Sequence, residues 1–466
     1  MIRKITRKVW AIILSAFMAP VIIAIGIYSA NIYQINKHYE EQFNTISEVT
    51  LRKFPYPYKS AMTICSDVDR TETLDEFKKI QKFINSDEIT DAGKGVGLDI
   101  GNSFFFFEAA DKSISYFNSD PLVRETIKNF IKIGKIDVLH SYGKKSDFSR
   151  HDAIVALSEL MDNNLIVDVW VDHTKSSDNF GNDVTLGQGD IVDSEGYHAD
   201  VTIEYGIKFV WLGRVTMITG QSVPITPKTF TSIFDRDHPI YSFLNMGKEF
   251  GKHMLGILGS KKYAMHKTND LVKIISLDDG QKAYEFMRFD NYWRGVGTGA
   301  NSRNLAYTIS KKSLDRLKES AGYMIVYTHL GINSDCRQYI CQETKSALRH
   351  LAQEYKAGHI FITSTSKLLN YYINNKYLNW SFENKKGEII IRIHNVEDPV
   401  FGSFVPSIEE LDGMTFYVPD KNKAMIYLNN TKLLEIRRNA PDYTQRESVT
   451  ILSRTRASWN GQNRHV

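Results

Sequence analysis

The chain has 466 residues, 42% hydrophobic and 24% charged, with a formal net charge of +4. That balance excludes wholesale disorder and a multi-span membrane protein, and its scattered basic residues argue against nucleic-acid binding. Three cysteines are too few for a disulfide scaffold and lack zinc-site spacing.

From the N-terminus, Val9 to Ser29 contains no charged residue and is long enough to cross a bilayer. Arg3, Lys4, Arg7 and Lys8 precede it, so the positive-inside rule predicts a single-pass anchor with a cytoplasmic N-terminus and an extracytoplasmic body, a cleaved signal peptide being the rival reading. Residues 1–30 are read as cytoplasmic tip and anchor, and 31–60 as a polar spacer ending in Pro55-Tyr56-Pro57. In an oxidising compartment Cys336 and Cys341 form a local disulfide or remain two separate thiols. Cys65 belongs to the core.

From Ala61 strand and helix patterns take turns. "AMTICSD" reads as a strand, "TLDEFKKIQKFINS" as an amphipathic helix, "KIDVLHS" as a strand and "RHDAIVALSELMDNN" as a helix. "LIVDVWVDH", "IKFVWLG" and "KAYEFMRF" follow as strands. Later come the helix "SKKSLDRLKESAG", the strand "YMIVYTHLG", the helix "TKSALRHLAQEYKAG" and "HIFITS" leading into "TSKLLNYYINN". Such alternation predicts an α/β fold with a largely parallel sheet, open or closed into a barrel, over residues 61–376. Thr174 to Tyr205 is a long polar insertion. Short strands divided by turns predict an all-β accessory domain over 377–452, and 453–466 reads as a flexible tail.

Working residues in parallel α/β folds collect at the C-terminal ends of strands. Here the first strand ends in Asp67 and Asp69, the second in His140 and Ser141, another in Asp172 and His173, and a late one in His329. One strand-end carboxylate alone reads as a helix cap, and Thr71 and Thr73 compete for that role. Carboxylates and imidazoles converging from four strands suit a divalent metal such as zinc.

This order, an "SDVD" pair after strand one, "HS" after a later strand and a late His followed by "HIFITSTSKLLNYY", resembles the polysaccharide deacetylase superfamily of carbohydrate esterases. The resemblance implies a distorted (β/α) barrel and metal-dependent removal of acetyl groups from a cell-envelope or exported polysaccharide. It implies Asp67 as general base, Asp69 and His140 as metal ligands and His329 as general acid. The family's second metal histidine falls four residues after the first, where this chain has Lys144, so His173 and then His198 are the candidates for the third ligand; otherwise the site is altered or lost. His198, Asp200, Trp211, Arg288 and Trp293 are candidate sugar contacts. Two rival readings remain: a metal-free glycoside hydrolase pairing Asp67 with Glu285 or Asp290, and a glycan-binding or assembly protein on a degenerate barrel, which Lys144 favours. Protein partners stay open.

Overall fold

The computed structural model describes residues 26, 28–37, 48–107, 113–143, 147–173, 175–295, 298–332, 336 and 339–453. Nearly all of the expected Val9–Ser29 anchor, Lys144, and the expected tail from residue 454 lie outside them. Among the described residues no helix is long and apolar enough to cross a membrane.

The centre is a mixed α/β body with two largely parallel sheets. The first orders its strands Ile360–Ile362, Ser60–Ser66, Tyr323–Thr328, Arg288–Phe289 and Val215–Thr216, every pairing parallel. The second runs Val272–Ser276, Lys282–Phe286, Phe209–Trp211, Val169–Val171, Val138–His140 and Ser103–Phe104, antiparallel only at its first pair. Both lay apolar side chains into a shared interior, with Ala61, Cys65 and Ile325 from the first meeting Val138, Val171, Phe209 and Phe286 from the second. Parallel strands buried on both faces read as the continuous apolar runs seen in the sequence.

A closed barrel is not formed. At one seam the extended run 282–289 breaks at Met287, its first half pairing with the second sheet and its last two residues with the first. At the other seam a single bridge, Ser66 to Asn102, replaces a ladder. Several strands are only two or three residues long, too short to carry pairing around both corners.

Helices cover these sheets: Leu74–Asn85, Pro121–Lys132, Arg150–Asp162, Lys311–Ser320, Gln342–Lys356 and Thr365–Lys376. The helix Pro239–Ile257, 19 residues long, has no counterpart in the sequence reading. From Leu378 to Ile451 only strands occur. Two sheets there pack Ile391, Ile393 and Ile426 against Phe416, Val449 and Ile451.

The end of the expected spacer is built into the fold. Thr50–Leu51 pairs antiparallel with Thr415–Tyr417. Buried Arg52 ion-pairs with Asp442 at 2.9 Å and donates to the carbonyls of Phe54, Pro55 and Pro57. A buried guanidinium is tolerated only with its donors satisfied, and these partners tie the C-terminal sheets to the start of the α/β body. Cys336 and Cys341 are joined in a disulfide, and Cys65 is a buried free thiol.

At the start of strand Val138–His140, buried Asp137 accepts the Ser366 N–H at 2.8 Å at the N-terminus of helix Thr365–Lys376. Burial nevertheless pushes its carboxyl up to about 7, with Asp168 and Asp99 adding repulsion. The folded state therefore holds one proton more than the unfolded chain between about pH 4 and pH 7, so stability falls as pH rises through that window. Each unit costs at most about 1.4 kcal/mol. Asp137→Asn is expected to flatten this segment of the pH profile, measured by urea unfolding from pH 4 to 8; an unchanged slope would place the proton elsewhere.

Candidate metal centre

The site is assembled by register. Ser66 pairs with Thr328 at the ends of neighbouring parallel strands, and the Asp67 N–H donates to the Thr328 carbonyl at 2.9 Å. Asp67 and His329 therefore leave the sheet at the same level. Asp69, in the turn just beyond the strand, also lines the cleft that Asp67 and His329 enter. On the facing sheet His140 pairs with Val171, so His173 leaves that sheet just beyond His140. Ser141, at φ 46°, turns the chain sharply away after His140.

Neither aspartate is a helix cap. Thr73 takes that role for helix Leu74–Asn85, accepting the Glu76 N–H at 3.1 Å. Asp67 and Asp69 are left for the cleft, about 210 Å³ in volume, whose walls also include His140, His173, Trp211, Tyr327 and His329.

Asp69 is the hub. Its Oδ1 lies 3.1 Å from His173 Nε2, and its Oδ2 lies 3.3 Å from His140 Nδ1 and 3.6 Å from His329 Nε2. Two ligand sets follow within the described residues: Asp69, His140 and His173, and Asp67, Asp69 and His329, each with donor atoms within 4.8 Å of one another. Asp69 Oδ2 is buried and has no hydrogen-bond partner. Leaving a carboxylate oxygen so costs free energy unless a cation compensates, and an oxygen with two imidazole nitrogens is a donor set that fits a borderline divalent ion.

Electrostatics agree. Burial pushes the Asp69 carboxyl up, but His140, His173 and His329 outweigh it and hold it far below the ordinary carboxylate range. Burial pushes His140 down to about 4 against the pull of both aspartates, which keeps its ring neutral and available as a ligand. Phe105 stacks on the His140 ring at 4.6 Å and tilts against His173 at 5.2 Å, fixing both planes. The Asn179 side chain brackets His173, accepting its N–H at 2.7 Å and donating to its carbonyl.

Asp67 is held differently. Arg288 donates from Nη1 to its Oδ2 at 2.7 Å and from Nη2 to its Oδ1 at 2.9 Å. Burial raises the Asp67 carboxyl, yet the guanidinium and the nearby histidines prevail and hold it below its usual range. His329 uses Nδ1–H to donate to the Ala300 carbonyl at 2.6 Å, which leaves Nε2 pointing into the cleft 3.9 Å from Asp67 Oδ2.

No family model, curated protein or solved structure matches this chain. Its chemistry is read from its own geometry.

That geometry brings together Asp67, Asp69, His140, His173, His329 and Trp211, and separates the other expected contacts. Arg288 is fully buried beneath Asp67, its guanidinium 4.3 Å from the Trp211 ring centroid, so it positions a carboxylate instead of touching substrate. His198, expected as a sugar contact or spare ligand, is fully buried: Nε2–H donates to the Asp178 carbonyl and Nδ1 accepts from the Thr202 hydroxyl. It props the insertion loop. Asp200 is bound to Arg150 through both carboxylate oxygens on the protein's surface. Trp293 stacks on His238 at 3.9 Å and is not among the cleft walls. Glu285 pairs with Arg214 at 3.4 Å, and Asp290 is fully buried; neither lines the cleft. Asp172, which does, already accepts from Trp170 Nε1, the Thr185 hydroxyl and the Phe180 and Gly181 N–H groups.

Sequence reasoning missed Phe105. The aromatic run "SFFFF", whose strand Ser103–Phe104 pairs beside that of His140, was the available signal.

Proposed function

We propose that the chain is a metal-dependent hydrolase of the polysaccharide deacetylase kind, removing acetyl groups from a cell-envelope or exported glycan. The observation that carries this reading is the orphaned Asp69 Oδ2 facing His140 and His329, beside a second carboxylate that is independently held ionised.

Asp69, His140 and His173 would hold the ion, zinc being the best match to one carboxylate and two imidazoles. When bound, it would supply Lewis acidity to an acyl carbonyl and a lowered pKa to water. Asp67, clamped by Arg288 and ionised at neutral pH, is placed to take a proton from the attacking water. His329 Nε2, beside Asp67 in the cleft, would give one to the leaving amine or alkoxide. Trp211 and Tyr327 offer faces against which a sugar ring can lie. The carboxylates that a metal-free glycoside hydrolase would pair with Asp67, Glu285 and Asp290, do not line the cleft. Anchoring through Val9–Ser29, with the body outside the membrane, suits such a substrate.

The test is acetate release from acetylated chitin and peptidoglycan oligosaccharides by zinc-supplemented protein. Release that Asp67→Asn abolishes is the expected result. Glycan cleavage without acetate would overturn the assignment.

A further inference from the structure

The helix Pro239–Ile257 is built inside out. At 3.6 residues per turn its sequence sends Ser242, Asn245, Glu249 and His253 toward the protein, all of them buried. Outward it sends Ile240, Phe243, Leu244, Phe250 and Leu255, with Leu258 just past its end. Ile240 is 74% exposed, Phe243 65% and Leu258 76%. A surface helix normally does the reverse.

The polar inner face is engaged. Asn245 donates to the Trp293 carbonyl at 2.9 Å, Glu249 accepts from the Thr216 hydroxyl at 3.1 Å and from Lys252 at 2.7 Å, and His253 Nδ1 donates to the His266 carbonyl at 3.0 Å. Rotating the helix to hide its apolar side would strand these groups without partners, each at a free-energy cost. The outer strip is therefore fixed outward, and an apolar strip of this extent marks an interaction surface.

Helix 28–37 indicates what covers it. Tyr28 meets Phe250 edge-on at 5.9 Å and His253 at 5.7 Å. One turn on, Ile32 packs against Ile218, Ile225 and Phe230, and the Asn36 side chain makes two hydrogen bonds with the Ile225 backbone. The uncharged run Val9–Ser29 thus ends against the inside-out helix. A segment of that length is suited to a bilayer, and its described end, Tyr28, meets Phe250 of the exposed strip. The helix itself is not apolar enough to span. Exposed Lys248, with Lys261 and Lys262 just beyond the helix end, supplies cations for anionic headgroups.

We propose that Pro239–Ile257 lies in the interfacial plane of a phospholipid bilayer, its apolar strip among the lipids, and fixes the orientation of the body beside the anchor. This does not depend on the deacetylase assignment.

Because Cys65 is buried and Cys336 is bonded to Cys341, Leu244→Cys introduces one accessible thiol for a nitroxide label. The full chain is reconstituted in vesicles of phosphatidylglycerol and phosphatidylcholine. Ile166→Cys, at an 83% exposed position, serves as the reference. The expected result is a ratio of oxygen to nickel-chelate accessibility several-fold higher at Leu244 than at Ile166. Equal ratios would overturn the proposal, since an anchored protein with this helix in water gives them. Strong dipolar coupling between Leu244 labels would overturn it too, in favour of a second copy covering the strip.

Discussion

Arg288→Met is expected to destabilise the protein by about 3–5 kcal/mol, the usual consequence of removing one partner from a buried ion pair. Arg288 is 0% exposed and Asp67 1%, and the two share both carboxylate oxygens. Without the guanidinium only the histidines oppose burial at Asp67, so its carboxyl rises and the cleft loses its firmly ionised base. Arg288→Lys keeps the charge but not the fork that grips both oxygens, and falls between. The control is the double variant Arg288→Met with Asp67→Asn. Urea unfolding should show it recovering most of the loss, because no charge is then left unpaired; simple additivity of the two single changes would mean the pair is not coupled.

His329→Ala is expected to lower acetate release by about 10²- to 10⁴-fold, the range for losing a general acid. Metal retention should hold, since Asp69, His140 and His173 remain as a complete ligand set. Apart from its approach to Asp67 and Asp69, the side chain touches the Ala300 carbonyl and the Tyr327 ring, so stability should change little. Kinetics and elemental analysis on the same preparation separate the roles: a fall in both metal and rate would make His329 a ligand, and an unchanged rate would remove it from the chemistry.

The site was legible because strand ends carry chemistry in parallel folds, and apolar runs stopped by Asp67, His140, His173 and His329 could be counted without knowing their pairing. Arg288 was visible as a candidate sugar contact, but only pairing of its strand next to Tyr323–Thr328 puts it under Asp67. His198 misled because a polar residue in a Gly- and Asp-rich loop reads as solvent-facing, whereas Thr202 and the Asp178 carbonyl satisfy it inside. Helix Pro239–Ile257 escaped notice because its polar residues face inward and Gly247 and Gly251 interrupt its apolar side. Thr50–Leu51 looked like spacer since its partner strand, Thr415–Tyr417, lies near the other end of the chain, and such pairing leaves no local pattern.

The most direct measurement is the metal content of the purified full chain by elemental analysis after zinc loading and dialysis, beside His140→Ala and Asp69→Asn. Near-stoichiometric zinc in the unaltered protein is expected. Each variant should lose more than the roughly 10–100-fold in affinity that follows from disturbing an outer-shell partner. Zinc absent from the unaltered protein, or held equally by all three, would contradict a metal centre at Asp69, His140 and His173.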